Sequence, residues 1–256
     1  MKSYGCIVLL FFGLRCAVVR EQEPQQSPQP LVRMEPLSSS KACGDCNGGP
    51  CVTADIQSLK VVWAKNPEVA GRINAAIANW VLQLDDGKVA KNLREVVEQF
   101  VNRLCPPLQA DAKKYPESFG PPWNETRTLS IEYVSARVLC LSLAQSEYTG
   151  GAHPAESLGY QNFRVATGRR IKLSDIFKPG FEGHLNAVAE RDLPVDPSFY
   201  TFQEGHFQLN DNFCIGVNGL AFHFQSHEIT STNGDVTLLL PYSDLKDLLR
   251  PDADIP

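Results

Sequence analysis

From Pro67 onward the apolar residues recur every three to four positions. In "PEVAGRINAAIANWVLQL", Val69, Ile73, Ile77, Trp80, Val81 and Leu84 fall on one stripe, and Pro67 suits a first helical turn. "KVAKNLREVVEQFVNRLC" repeats the pattern with Val89, Leu93, Val96, Val97, Phe100, Val101 and Leu104. "DDGK" separates the two, and Pro106-Pro107 is expected to end the second. Two amphipathic helices with polar outer faces must lay their stripes on another layer.

The rest of the chain supplies that layer, because the period then changes. "TLSIEYVSA" and "RVLCLSLAQSEY" read as strands, the second nearly continuously apolar, as a central strand would be. "LGYQNFRVATGRRIKL" contains an alternating strand, a turn at Ala166-Thr167-Gly168 and a short strand; "FEGHLNAVAERDL" reads as a modest inserted helix. Asn218-Gly219, inside "CIGVNGLAFHF", predicts a hairpin with a type I′ turn, since both residues tolerate positive φ. "DVTLLLPYSDLKDLLR" gives a strand, Pro241 and a C-terminal helix. The fold class is therefore α+β: two N-terminal amphipathic helices packed on a mostly antiparallel sheet, with an inserted and a C-terminal helix.

Upstream of residue 58 the pattern breaks down. "MKSYGCIVLLFFGLRCAVV" has Lys2 followed by a short apolar run, which suits a signal peptide over 1–19 and is too short to span a bilayer. Cys16 stands where a lipoprotein would carry its lipid, although Arg15 is a poor residue to precede it. Residues 20–41, rich in Pro, Gln, Ser and Glu, read as a disordered linker, and 42–57 as a Cys-rich loop segment. The α+β domain is expected over 58–256, divisible into subdomains at 58–125 and 126–256.

Composition narrows the setting. Hydrophobic residues make up 43% of the 256, enough for a packed core, and the formal charge of −5 argues against a nucleic-acid partner. Beyond the leader lie six cysteines: Cys43, Cys46, Cys51, Cys105, Cys140 and Cys214. An even number in an exported chain reads as disulfides, with fifteen full pairings open. Reading "CGDCNGGPC" as a metal knuckle would need a second ligand pair at matching spacing, and a redox role would need a strand-to-helix setting; neither is present. No metal or other cofactor is expected.

Candidate chemistry is sparse. There is no HExxH and no GxSxG. His223 and His227 are four apart in a strand region, which separates them by about 13 Å; His223 reads as a residue on the polar face, and His184 and His206 as solvated. Glu132, Glu147, Asp175 and Glu228 could form a carboxylate pair for glycoside hydrolysis. "YTGGAHP" stands out most, because paired Gly150 and Gly151 open backbone conformations closed to other residues between Tyr148 and His153. A Gly-dependent turn, a partner-binding surface and a catalytic imidazole are the three readings of it.

Four segments in order, "YTGGAHP" (148–154), "NFRVATGRRIKLSDIF" (162–177), "GLAFHFQSHEI" (219–229) and "VTLLLPYSDL" (236–245), resemble the bacterial extracytoplasmic domain of RsiV-type anti-sigma factors. That domain of unknown function also occurs beside the catalytic domain of a peptidoglycan deacetylase, and "NPEVAGRINAAIANWV" is similar to the helical start of its companion domain. The resemblance implies a non-catalytic α+β binding domain in the periplasm or at the cell surface. In the anti-sigma factors it binds lysozyme, so the implied partner is a lysozyme-like protein or peptidoglycan, with Tyr148, Gly150, Gly151, His153 and Glu228 as candidate contacts. His227 and the following "TSTNG" depart from the family, which has Tyr and a Pro-Tyr-rich turn there. A hydrolase acting on cell-wall glycans, using Glu228 or Asp175 with His153 or another carboxylate, is the alternative.

Overall fold

The computed structural model describes residues 31–115, 120–193, 200–202, 206–230, 234–253 and 255–256. The expected signal peptide over 1–19, Cys16 within it, and residues 20–30 of the expected linker lie outside this set. The fold is α+β, with eight strands and five helices among the described residues.

Strand β1 (Val32–Gly44) pairs antiparallel with β2 (Cys51–Ala64) along its whole length. Residues 32–41 were expected in the linker and 42–57 in a loop; both instead belong to this hairpin. Their polarity is compatible with a strand because β1 is the edge of its sheet and only one face is covered. Pro36 is tolerated for the same reason, since an edge strand can spare an N–H. The hairpin tip is closed by Cys46–Cys51, and Cys43–Cys105 ties β1 to a helix.

Helix α1 (Pro67–Val81) is capped by Asn66, whose Oδ1 accepts from the Glu68 amide at 2.9 Å, and buries Val69, Ile73, Ile77 and Val81. Helix α2 (Leu93–Lys114) starts four residues later than the apolar stripe, which begins at Val89, implies. Asn92 caps it by accepting from the Glu95 amide at 3.0 Å, and Val89 is exposed in a bridge to Gln83. It also continues through Pro106-Pro107 rather than ending there. The carbonyls those prolines leave unbonded, on Asn102 and Arg103, belong to exposed residues that water can reach. Beyond the prolines, Leu108 still packs on the core.

The helices form the crossover from β2 to β3 (Trp123–Val134), which run parallel. Strands β4 (Val138–Tyr148) and β5 (Ala155–Arg164) extend the sheet antiparallel, in the order β1-β2-β3-β4-β5. One hydrophobic core lies between this sheet and α1–α2.

A second core gathers around α3 (Leu173–Ile176), α4 (Glu182–Arg191), a three-stranded antiparallel sheet and α5 (Tyr242–Leu245). The small sheet comprises β6 (Phe213–Ile215), β7 (Gly219–Phe224) and β8 (Val236–Pro241) in that order. The β6–β7 hairpin is present, but neither Asn218 nor Gly219 has positive φ, so its turn is not type I′. Gly219 is needed for space instead: a Cβ there would stand 2.1 Å from the Leu240 carbonyl oxygen of β8. Cys140–Cys214 joins the two sheets.

Candidate functional site

The β4–β5 hairpin carries the "YTGGAHP" turn at its tip. Gly150 and Gly151 have φ of 101° and 109°, a region that L side chains rarely adopt, which is why two glycines stand here. The Tyr148 hydroxyl donates to the Gly151 carbonyl at 3.0 Å and closes the turn. His153 is exposed, with Nδ1 3.4 Å from the Pro154 carbonyl oxygen. The indole of Trp123 lies under Gly150. Tyr148, Gly150, Gly151 and His153 are thus brought together in one preshaped surface turn.

Glu228 has a different setting. Its carboxylate accepts from Asn210 Nδ2 at 2.7 Å and from the Gln225 amide at 2.8 Å, fastening the turn that follows β7. His227 in that turn has φ 65°, so the strand ends before it and the two histidines do not share a strand face. Glu228 lines a depression of about 300 Å³ with His206 and Asn210, separate in its lining from the Tyr148 turn.

His223 corrects the expectation of a polar-face residue. It is 3% exposed, with Nδ1 3.1 Å from Thr237 Oγ1 and Nε2 3.3 Å from an Asp235 carboxylate oxygen. His184 and His206 are exposed, as solvated residues should be. Two other carboxylates considered for acid–base work have local partners: Asp175 accepts from the Lys172 amide at 2.9 Å, and Glu132 from the Ser142 hydroxyl. No group of three or more His, Cys, Asp or Glu that could hold a metal ion occurs among the described residues. The six cysteines pair as Cys43–Cys105, Cys46–Cys51 and Cys140–Cys214.

Sequence reasoning missed the surface beside the turn. A depression of about 310 Å³ is lined by both strands of the β4–β5 hairpin, by β3 and by the loop after α1. It carries four carboxylates, Asp85, Glu125, Glu147 and Glu156, against one cation, Arg127. Glu125 is the buried one. Desolvation lifts its carboxyl above the ordinary 4.5, opposed by Arg127 and reinforced by Glu147 and Asp85. Strand alternation places Glu125 and Arg127 on the inward face of β3, a signal readable only once the strand's orientation is known.

A family model described as deacetylase PdaC matches residues 47–156, under half of the chain, ending just beyond the Tyr148 turn. No curated protein matches. Among solved structures, a DUF3298-family protein from Bacteroides fragilis superposes with a TM-score of 0.70 at 18% identity, covering 87% of this chain and 95% of its own. A DUF3298-family protein from Pseudomonas aeruginosa gives 0.60 at 15% identity, covering 88% and 97%. No helix among the described residues is long and apolar enough to cross a membrane. The chain therefore has the fold of these bacterial DUF3298 proteins.

Proposed function

We propose that this is an exported envelope domain of RsiV-like lineage that binds a lysozyme-like protein or a peptidoglycan fragment through the Tyr148–His153 turn. The observation that carries the reading is the closed turn itself. Two positive-φ glycines and the Tyr148–Gly151 hydrogen bond fix the loop before any partner arrives, so little ordering entropy is lost on binding. The adjoining carboxylates favour a basic protein over a neutral glycan. Three disulfides fit an oxidising compartment. The PdaC and DUF3298 likenesses fit an envelope location.

Calorimetric titration of the chain with lysozyme at two salt concentrations tests it. The expected result is saturable one-to-one binding that persists at the higher salt. Tyr148→Ala should weaken binding by about tenfold or more, as truncation of a central aromatic contact does, while leaving the thermal melt in place. Heat that vanishes with salt would reduce the interaction to nonspecific attraction between an acidic and a basic protein. Turnover of labelled peptidoglycan that stops on Glu228→Gln would replace the binding reading with a hydrolytic one.

A further inference from the structure

A depression separate in its lining from the Tyr148 turn lies where β1 and β2 meet the end of α1 and the start of α2. It measures about 540 Å³, within the range of small-molecule sites. Its floor is an open part of the main core: Ile77 and Val81 of α1 are buried, and Leu59 and Leu93 are partly buried against the same cluster. Leu37 of β1 stands at the mouth with 44% of its surface exposed.

The lining is also one-signed. Lys60, Lys91 and Arg94 line the depression and no carboxylate does, in a chain whose formal charge is −5. None of the three cations is ion-paired with a described residue. At the start of α2, Glu95 accepts from the Lys91 amide at 2.7 Å and Asn92 accepts from the Glu95 amide at 3.0 Å. The charge that would recognise an anion is supplied by the three cationic side chains.

We infer that this depression binds a linear amphiphile with an anionic head, its alkyl chain on the Ile77–Val81–Leu93 floor and its head among Lys60, Lys91 and Arg94. An apolar floor alone would take any hydrophobic molecule. Three unpaired cations at its edge select against neutral and cationic ones, because an anion there gains charge-assisted hydrogen bonds that the others do not. Carboxylate and phosphate heads satisfy this chemistry equally.

Equilibrium dialysis of the full chain against radiolabelled dodecanoate, and separately dodecyl phosphate, tests the site and separates the two heads. Saturation at one equivalent is expected for at least one of them, with dodecyl maltoside below its micelle concentration binding far more weakly. Lys91→Glu/Arg94→Glu should weaken binding by about tenfold or more through the lost charge complementarity. Leu37→Glu, at an exposed position, should weaken it similarly by placing a like charge in the mouth. Both substitutions are on the surface, so unchanged thermal melts keep the comparison sound. Absence of one-site binding, equal binding of the maltoside, or undiminished binding by the charge-reversed variant would each overturn the assignment. None of these results depends on whether lysozyme binds the opposite hairpin.

Discussion

Arg127 occupies a position on β3 where an aliphatic residue would ordinarily face the helices, and its partners explain the exception. Its Nη1 donates to the carbonyls of Val81 and Gln83, at 2.7 and 2.6 Å, where α1 ends, and its Nε donates to Glu125 at 2.8 Å. The guanidinium thus satisfies carbonyls that a helix C-terminus leaves without intrahelical donors. Arg127→Met would strand both carbonyls and a buried carboxylate, so it should cost about 3–5 kcal/mol in urea unfolding. Glu125→Leu/Arg127→Met should recover part of that, because only the carbonyls then lack a partner; a double variant no better than the single would show that the pair is not coupled. Glu125 also predicts a pH dependence. Its folded pKa is raised above 4.5, so the folded state keeps a proton that the unfolded state has released. The stability this group contributes is complete below the unfolded value and is lost as pH rises through the folded one. Relative to Glu125→Gln, the native protein should therefore lose stability with rising pH above about 4.5. Denaturation midpoints measured across that window check the sign, and a constant difference would mean that Arg127 cancels the burial.

At the scale of elements, the joint between the two sheets is made by side-chain amides. From β5, the Asn162 side chain reaches β6, donating to the Phe213 carbonyl at 2.6 Å and accepting from the Ile215 amide at 2.9 Å. Asn212 accepts from the Tyr160 amide and donates to the Leu158 carbonyl, and Gln225 bonds both backbone groups of Leu158. These amides replace the next strand of a ladder and protect an edge that could otherwise pair with another chain. Asn162 is 2% exposed, so Asn162→Ala leaves two backbone groups of β6 without partners. It should cost about 2–4 kcal/mol, read as a shift in denaturant midpoint, and a loss under 1 kcal/mol would mean that water replaces the amide. This joint was not legible in the sequence, because an Asn or Gln in a strand looks the same whether it faces solvent or a neighbouring backbone. The stripe of α1 and the continuous apolar run of β4 were legible, since burial on one or both faces writes itself into hydrophobic spacing. Strand β1 was not: "PLSSSK" owes its conformation to pairing with β2 and to the Cys43–Cys105 bond, both outside its own composition. In the candidate site, the paired glycines announced the turn, whereas Glu125 and Arg127 gave no sign of facing inward.

At the scale of the molecule, the described residues form two hydrophobic cores, one under α1 and α2 and the other around the three-stranded sheet. Between them run the amide joint and Cys140–Cys214, which closes a sequence separation of 74. Cys43–Cys105 spans 62 but lies within the first core, so among the described disulfides only Cys140–Cys214 constrains one core against the other. In the chain-entropy account, a loop of that length corresponds to about 4 kcal/mol of stability. Removing it should therefore lower stability and also change how unfolding proceeds. With the bond intact, loss of the second core leaves its strands tethered to buried β4, and the two cores should unfold together. In Cys140→Ser/Cys214→Ser the second core should unfold first, giving two transitions in denaturant where the native protein gives one. Hydrogen exchange locates the change, with amides of β6–β8 losing protection before those of β2–β4. A single transition shifted to lower denaturant in the variant would mean that the amides of Asn162, Asn212 and Gln225 couple the cores without the disulfide. In that case Asn162→Ala in the disulfide-free background should split the transition, which places the cooperativity of the fold in a few hydrogen bonds along one strand edge.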